Sequence, residues 1–150
     1  MRFMMLMIPK GYEKAEAGAM PSAEMVAKMT KYSQALTKAG VLIALDGLHP
    51  ASNGARVSFS GGKPRVTDGP FTEAKELLGG YWMIQVKSKE EAIEWASRCP
   101  DVLGPGETAQ IEIRQVFEMS DFPAELQEAA GNEPAMRAQL EQGWPKAPRA

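Results

Sequence analysis

Alternating apolar and polar positions recur in short bursts along the chain, interrupted by two stretches where the apolar spacing becomes helical. Residues 2–8 read Arg-Phe-Met-Met-Leu-Met-Ile, which in a strand puts Phe3, Met5 and Met7 on one face and Met4, Leu6 and Ile8 on the other. Both faces call for burial, and one layer of helices covers only one of them. A second subunit's sheet is the natural cover for the other. Gly11 to Met20 is mixed in composition and reads as a loop. Ser22 is a good N-cap, and Met25, Met29, Tyr32 and Leu36 follow at helical spacing, with Lys38 in the last turn and Gly40 ending the helix. These methionines read as core packing. Val41 to Leu48 is a nearly continuous apolar strand that stops at His49-Pro50.

Beyond a turn at Ser52-Asn53-Gly54, Ala55, Val57 and Phe59 alternate with Arg56, Ser58 and Ser60, which predicts a strand with one buried and one polar face. Gly61-Gly62 signals a hairpin, and Pro64 puts the returning strand at an edge. Thr72 to Leu78 reads as a short helical turn, and Tyr81 to Val86 as the next strand. Ser88-Lys89-Glu90-Glu91 matches a capping box, with Ala92, Ile93, Ala96 and Cys99 as an apolar stripe and Pro100 as the stop. A loop around Gly104-Pro105-Gly106 leads to a last strand in which Ala109, Ile111 and Ile113 alternate with Gln110, Glu112 and Arg114. The order is β-α-β-β-α-β with a small extra hairpin strand, an α+β arrangement.

Composition adds bounds. A chain of 150 residues suits one domain able to bury about 70% of its unfolded surface. Cys99 is the single cysteine, so no intramolecular disulfide forms and a cytoplasmic protein is the expectation. The apolar run at the start is short, ends at Pro9-Lys10 and lacks a small-residue cleavage site, so it reads as a strand and not as a signal peptide. No run approaches the length of a membrane span. A net charge of −2 with both signs interspersed leaves no footprint for direct nucleic-acid contact or an anionic membrane. Residues 121–150, broken by Pro123, Pro134, Pro145 and Pro148, form an extension that is partly helical or mobile. Its two candidate helices run from Ala124 to Ala130 and from Pro134 to Gln142, and its apolar residues Leu126, Met136, Leu140 and Trp144 can dock on a partner subunit.

One stretch organises the rest. Asp68-Gly69-Pro70 must end a strand, because Pro70 has no N–H to give a ladder and its ring pushes Gly69 out of the helical region. With Phe71-Thr72-Glu73-Ala74-Lys75-Glu76 after it, the stretch resembles the motif of the DGPF-domain proteins, a branch of the YCII-related family. The resemblance extends upstream through Ala39-Gly40-Val41-Leu42 and Gly47-Leu48-His49-Pro50. Downstream it takes in Gly79-Gly80-Tyr81-Trp82 and Glu91-Ala92-Ile93-Glu94-Trp95-Ala96, so that a domain over residues 1–120 is expected. It implies a ferredoxin-like fold of the dimeric α/β-barrel type, hence a homodimer, and no settled activity.

Asp68 and His49 are the leading candidates for chemistry. Both stand at strand ends, and a carboxylate beside an imidazole orients it and raises its pKa towards a general acid or base near neutral pH. The wider family has been proposed to use such a pair. Asp68 carries over from its motif directly, whereas the slot of His49 in Gly-Leu-x-Pro also holds other polar residues. An Asx-turn at Asp68 and a plain turn histidine at His49 are the structural alternatives. Arg56, Lys75, Glu76 and Tyr81 are candidate ligand-binding residues. Each has an ordinary alternative: an edge cation for Arg56, a solvated helical face for Lys75 and Glu76, and core or dimer packing for Tyr81. No phosphate loop, nucleophile elbow or dinucleotide fingerprint is present, and one His with one Cys gives no zinc ligand set, so no cofactor or metal is expected, with a divalent ion at Asp46, His49 and Asp68 as a weakly signalled alternative. Two readings follow. One is a small-molecule enzyme with Asp68 and His49 in acid/base roles. The other is a non-catalytic ligand-sensing or protein-interaction module linked to transcription initiation, as DGPF-domain proteins encoded near sigma factors suggest.

Overall fold

A computed structural model describes residues 1–16, 18–71, 76–100 and 108–131. Among the described residues, six strands and three α-helices follow one another as β1 (Arg2–Pro9), α1 (Ala23–Lys38), β2 (Leu42–Gly47), β3 (Ala55–Ser60), β4 (Lys63–Asp68), β5 (Gly80–Gln85), α2 (Lys89–Ser97), β6 (Ala109–Gln115) and α3 (Ala124–Gly131). Four of the strands form one sheet in the order β2-β5-β1-β6, every neighbouring pair antiparallel. This is the ferredoxin-like α+β arrangement. The chain divides into two compact units, Met1–Val116 and Phe117–Ala150.

The alternation in β1 sorts the sheet into two sides. Phe3 and Met5 point to the helical side and are buried with Trp82 and Ile84 of β5, Tyr32 and Leu36 of α1, and Ala92 of α2. Ile111 and Ile113 of β6 pack at the margin of this cluster, directly across from Met7 and Met5. Leu36, Met5, Phe3 and Ile84 are the largest fully buried side chains. The opposite side of the sheet carries Met4, Leu6, Ile8, Tyr81 and Met83, all only half-buried.

Caps hold the helices as their residues dictate. The Ser22 hydroxyl accepts the Met25 N–H at 3.1 Å and the Ser88 hydroxyl accepts the Glu91 N–H at 3.2 Å. The Glu91 carboxylate accepts the Lys87 N–H at 2.8 Å, one residue before the position a capping box reaches, so the reciprocal bond is shifted out of the helix. The Tyr32 hydroxyl donates to the Trp95 carbonyl at 2.7 Å, tying α1 to α2, while its ring meets Trp82 edge-on at 5.6 Å.

Four expectations need correction. The strands β3 and β4 form a two-stranded sheet of their own, so the hairpin adds two strands and joins neither edge of the main sheet. Its apolar face is not buried either; every residue of both strands is exposed, and among the described residues no other layer packs on it. In α2, Ile93 is exposed and Trp95 packs on the core in its place, since Tyr32 draws the Trp95 end of the helix inwards. The expected helical turn at 72–78 falls partly on residues 72–75, outside the described residues; 76–79 are not helical. In the second unit, Phe117 and Phe122 stack at 5.1 Å and the Gln127 amide donates to the Phe122 carbonyl ahead of α3. The expected helix at 134–142 lies outside the described residues, and no helix among the described residues is long and apolar enough to cross a membrane.

Candidate functional site

The ends of three strands meet at one corner of the sheet, and the backbone there is cross-linked by hydrogen bonds from loop to loop. β1 ends at Pro9, β2 at Gly47, and β5 begins at Gly80. The Leu48 N–H donates to the Gly79 carbonyl, the Gly79 N–H donates to the Met7 carbonyl, and the Tyr12 hydroxyl donates to the Leu48 carbonyl at 2.6 Å. Burial pushes the Tyr12 phenol above its ordinary pKa, so it stays a donor. A Cβ on Gly80 would lie 2.8 Å from the Asp46 carbonyl oxygen, so β2 and β5 approach here as only glycine permits.

A bulge aims Asp46. Leu42 lies opposite Ile84, but Ala44 lies opposite Met83, so Ile43 is the extra residue of β2. One inserted residue reverses which face each later side chain takes. Asp46 thereby lands on the non-helical side, across from Tyr81, and its carboxylate accepts the Tyr81 hydroxyl at 2.9 Å. That hydrogen bond to the carboxylate raises the Tyr81 pKa, with some help from burial. Sequence reasoning named Tyr81 but passed over this pairing, because it read residues 41–48 as one continuous strand. The unbroken apolar run from Val41 to Leu45 has no alternation against which a bulge at Ile43 could show.

The motif segment is locked to the turn that follows β2. The Gly69 N–H donates to the Gly54 carbonyl at 2.8 Å, and a Cβ on Gly69 would fall 1.8 Å from the Ala51 carbonyl oxygen. The turn that follows His49-Pro50 therefore presses directly on the backbone that follows Asp68. Pro50 is buried while His49 is exposed, and Asp68 is exposed opposite Ala55 at the end of β4. Their segments are brought together, yet among the described residues neither side chain has a hydrogen bond or ion pair, and none joins the two. The Asx-turn alternative for Asp68 is likewise unformed. Arg56 leaves the other face of the hairpin and lays its guanidinium over the Phe71 ring at 4.0 Å, fixing the motif's aromatic anchor to β3. Glu76 is exposed, and Lys75 lies outside the described residues. Among the described residues no group of three or more His, Cys, Asp or Glu side chains is arranged to hold a metal.

Comparison with known proteins agrees with the motifs. The family model of the YCII-related domain matches residues 1–120. A 59-residue stretch is 39% identical to an uncharacterized protein of Rhizobium meliloti (strain 1021), covering 39% of this chain and 48% of that protein. The chain thus spans about half the length of this curated relative.

Proposed function

We propose that this chain, which belongs to the YCII-related family, is a homodimeric small-molecule-binding domain with Asp68 and His49 as its acid/base groups. The Tyr81–Asp46 pair orients the ligand. The observation that carries this reading is the close seating of the backbone after Asp68 on the 49–54 turn, together with the Tyr81–Asp46 hydrogen bond on the strand that leads into that turn. A neutral phenol held by a carboxylate is a fixed donor–acceptor unit. Asp68 and His49, which have no hydrogen bond or ion pair among the described residues, would take and return the proton. Arg56, held flat on Phe71, keeps its guanidinium edge available for an anionic group of the ligand. Homodimerisation through the half-buried face of Met4, Leu6, Ile8 and Met83 would wall off this corner from solvent.

A second reading has its own support. Asp68 and His49 are both exposed and are not bonded to each other, which suits a non-catalytic ligand sensor or protein-interaction module in transcription initiation. A thermal-shift screen with metabolites, run on wild type and Asp68→Asn, separates the two. A ligand that raises the melting temperature of the wild type but not of the variant supports the first reading, since binding stabilises the folded state by mass action. A variant that responds like wild type, or no response in either, removes Asp68 from the site and leaves the second.

A further inference from the structure

The outer edge of β3 is a row of backbone groups left open among the described residues. The Gly69 N–H donates to the Gly54 carbonyl, and this bond sets the phase of the antiparallel ladder that continues from it. Arg56↔Thr67, Ser58↔Arg65 and Ser60↔Lys63 are then the pairs that exchange hydrogen bonds, while Ala55, Val57 and Phe59 aim their N–H and C=O groups outwards. On β4 the outward positions include Pro64, which has no N–H, so that edge is interrupted. On β3 every outward donor is intact. The turn keeps the ribbon in register: Gly61 and Gly62 take φ of 58° and 78°, the paired positive values that match the twist of a tight hairpin.

The same register gives the two sides of the ribbon opposite chemistry. Each hydrogen-bonded pair sets a cation against a hydroxyl, so Arg56, Lys63 and Arg65 share one side, and none of them has an ion pair among the described residues. The other side carries Val57, Phe59 and Val66, with Phe59 80% exposed, and ends in the Asp68 carboxylate. We propose that the β3 edge takes an added strand from a partner protein, an extended segment in which acidic residues alternate with apolar ones. Pairing on Ala55, Val57 and Phe59 supplies the backbone hydrogen bonds. Alternation then places the partner's acids on the cationic side and its apolar residues beside Val57 and Phe59. Neighbouring strands lie about 4.8 Å apart, which puts β4 two spacings from the added strand. Ser58 and Ser60 are short, so the long side chains of Arg65 and Lys63 can lean over them to a carboxylate there. Nucleic acid fits less well, because a sugar-phosphate chain uses neither the outward N–H row nor the apolar side. The inference rests on the interaction reading above only in needing a protein partner. Peptide binding is read directly, so it stands or falls apart from the Asp68→Asn screen.

Fluorescence anisotropy with a labelled Glu-Val-Glu-Ile-Glu-Val-Glu peptide, blocked at both ends, tests it together with residue-resolved amide exchange. The peptide should bind, and exchange should slow at the amides of Ala55, Val57 and Phe59. Methylating the peptide nitrogens that face β3 should weaken binding roughly tenfold. The double variant Lys63→Glu/Arg65→Glu should weaken it by roughly the same factor and should prefer the peptide with lysine in place of glutamate, an exchange of preference that a misfolded chain does not show. A wild type that binds no peptide overturns the proposal. Binding that leaves those amides unchanged, or that single-stranded oligothymidylate matches and displaces, overturns it in favour of a general polyanion face. A double variant that treats the two peptides as wild type does overturns the charge pairing.

Discussion

Gly69 shows how much of the site depends on a single absent atom. Its Cα sits against the Ala51 carbonyl, and a methyl group there would overlap that oxygen at 1.8 Å. Backbone, not a flexible side chain, is what it meets, so Gly69→Ala must part the motif from the 49–54 turn. The expected loss is about 1–3 kcal/mol of stability by urea denaturation, the range for overpacking at a tight contact; a loss below a few tenths would mean that the corner yields freely. The Tyr81–Asp46 bond gives a second test. Because Asp46 holds the Tyr81 phenol above its ordinary pKa, Asp46→Asn should bring one of the three tyrosines down in an ultraviolet pH titration while the other two stay in place. No change would show that the hydrogen bond does not persist in solution. The motif announced Asp68-Gly69-Pro70 as a strand end. That Gly69 is needed for contact with Ala51, and that Asp46 faces Tyr81, depend on tertiary approach and on a bulge. Neither leaves a local pattern strong enough to read.

Elements were more legible than contacts, for a physical reason: caps and periodicities are written within a few residues, while burial is decided by what arrives from elsewhere. Ser22 and Ser88 were identifiable as N-caps from their own sequence neighbourhoods, and both accept the expected N–H. Ser88→Ala should accordingly cost about 0.5–2 kcal/mol, measured as a drop in the denaturation midpoint. Ser88→Asp should restore most of it, because a carboxylate caps equally well and favours a helix N-terminus. If alanine and aspartate behave alike, the cap is not what holds the start of α2. The hairpin marks the limit. Alternation in β3 was plain and the Gly61-Gly62 turn was plain, but alternation states only that a face is apolar. It cannot say whether this chain or another covers it, and the expected burial of Val57 and Phe59 failed on that point. In β1 the same kind of pattern succeeded for Phe3 and Met5, because α1 and α2 of the same chain fold over them.

At the scale of the whole molecule, the two helices share one buried layer, and its titratable groups link folding to pH. Burial pushes the Cys99 thiol up to about 11, and pushes the Tyr32 phenol far above its usual range, with the nearby Cys99 thiolate adding to the effect. Both groups pack beneath or beside the Tyr32–Trp95 tie between α1 and α2. The sign follows from which state holds its protons. Unfolded, the thiol titrates near 9.0; folded, it keeps its proton to about 11, so over that interval the folded state binds more protons than the unfolded. The contribution to stability is complete below pH 9 and is lost as pH rises through 11, and Tyr32 extends the loss to still higher pH. Urea midpoints measured from pH 8 to 11 should therefore fall. They should fall less steeply in Cys99→Ala, which starts lower because a packed side chain is gone but has no thiol left to ionise. Parallel curves for the two proteins would mean that Cys99 meets solvent freely. The same burial predicts a slow thiol, since the reactive thiolate is scarce near neutral pH. Ellman's reagent at pH 8 should label the folded chain far more slowly than the chain in urea, and the folded chain's rate should go on rising with pH until about 11, where the buried thiol ionises.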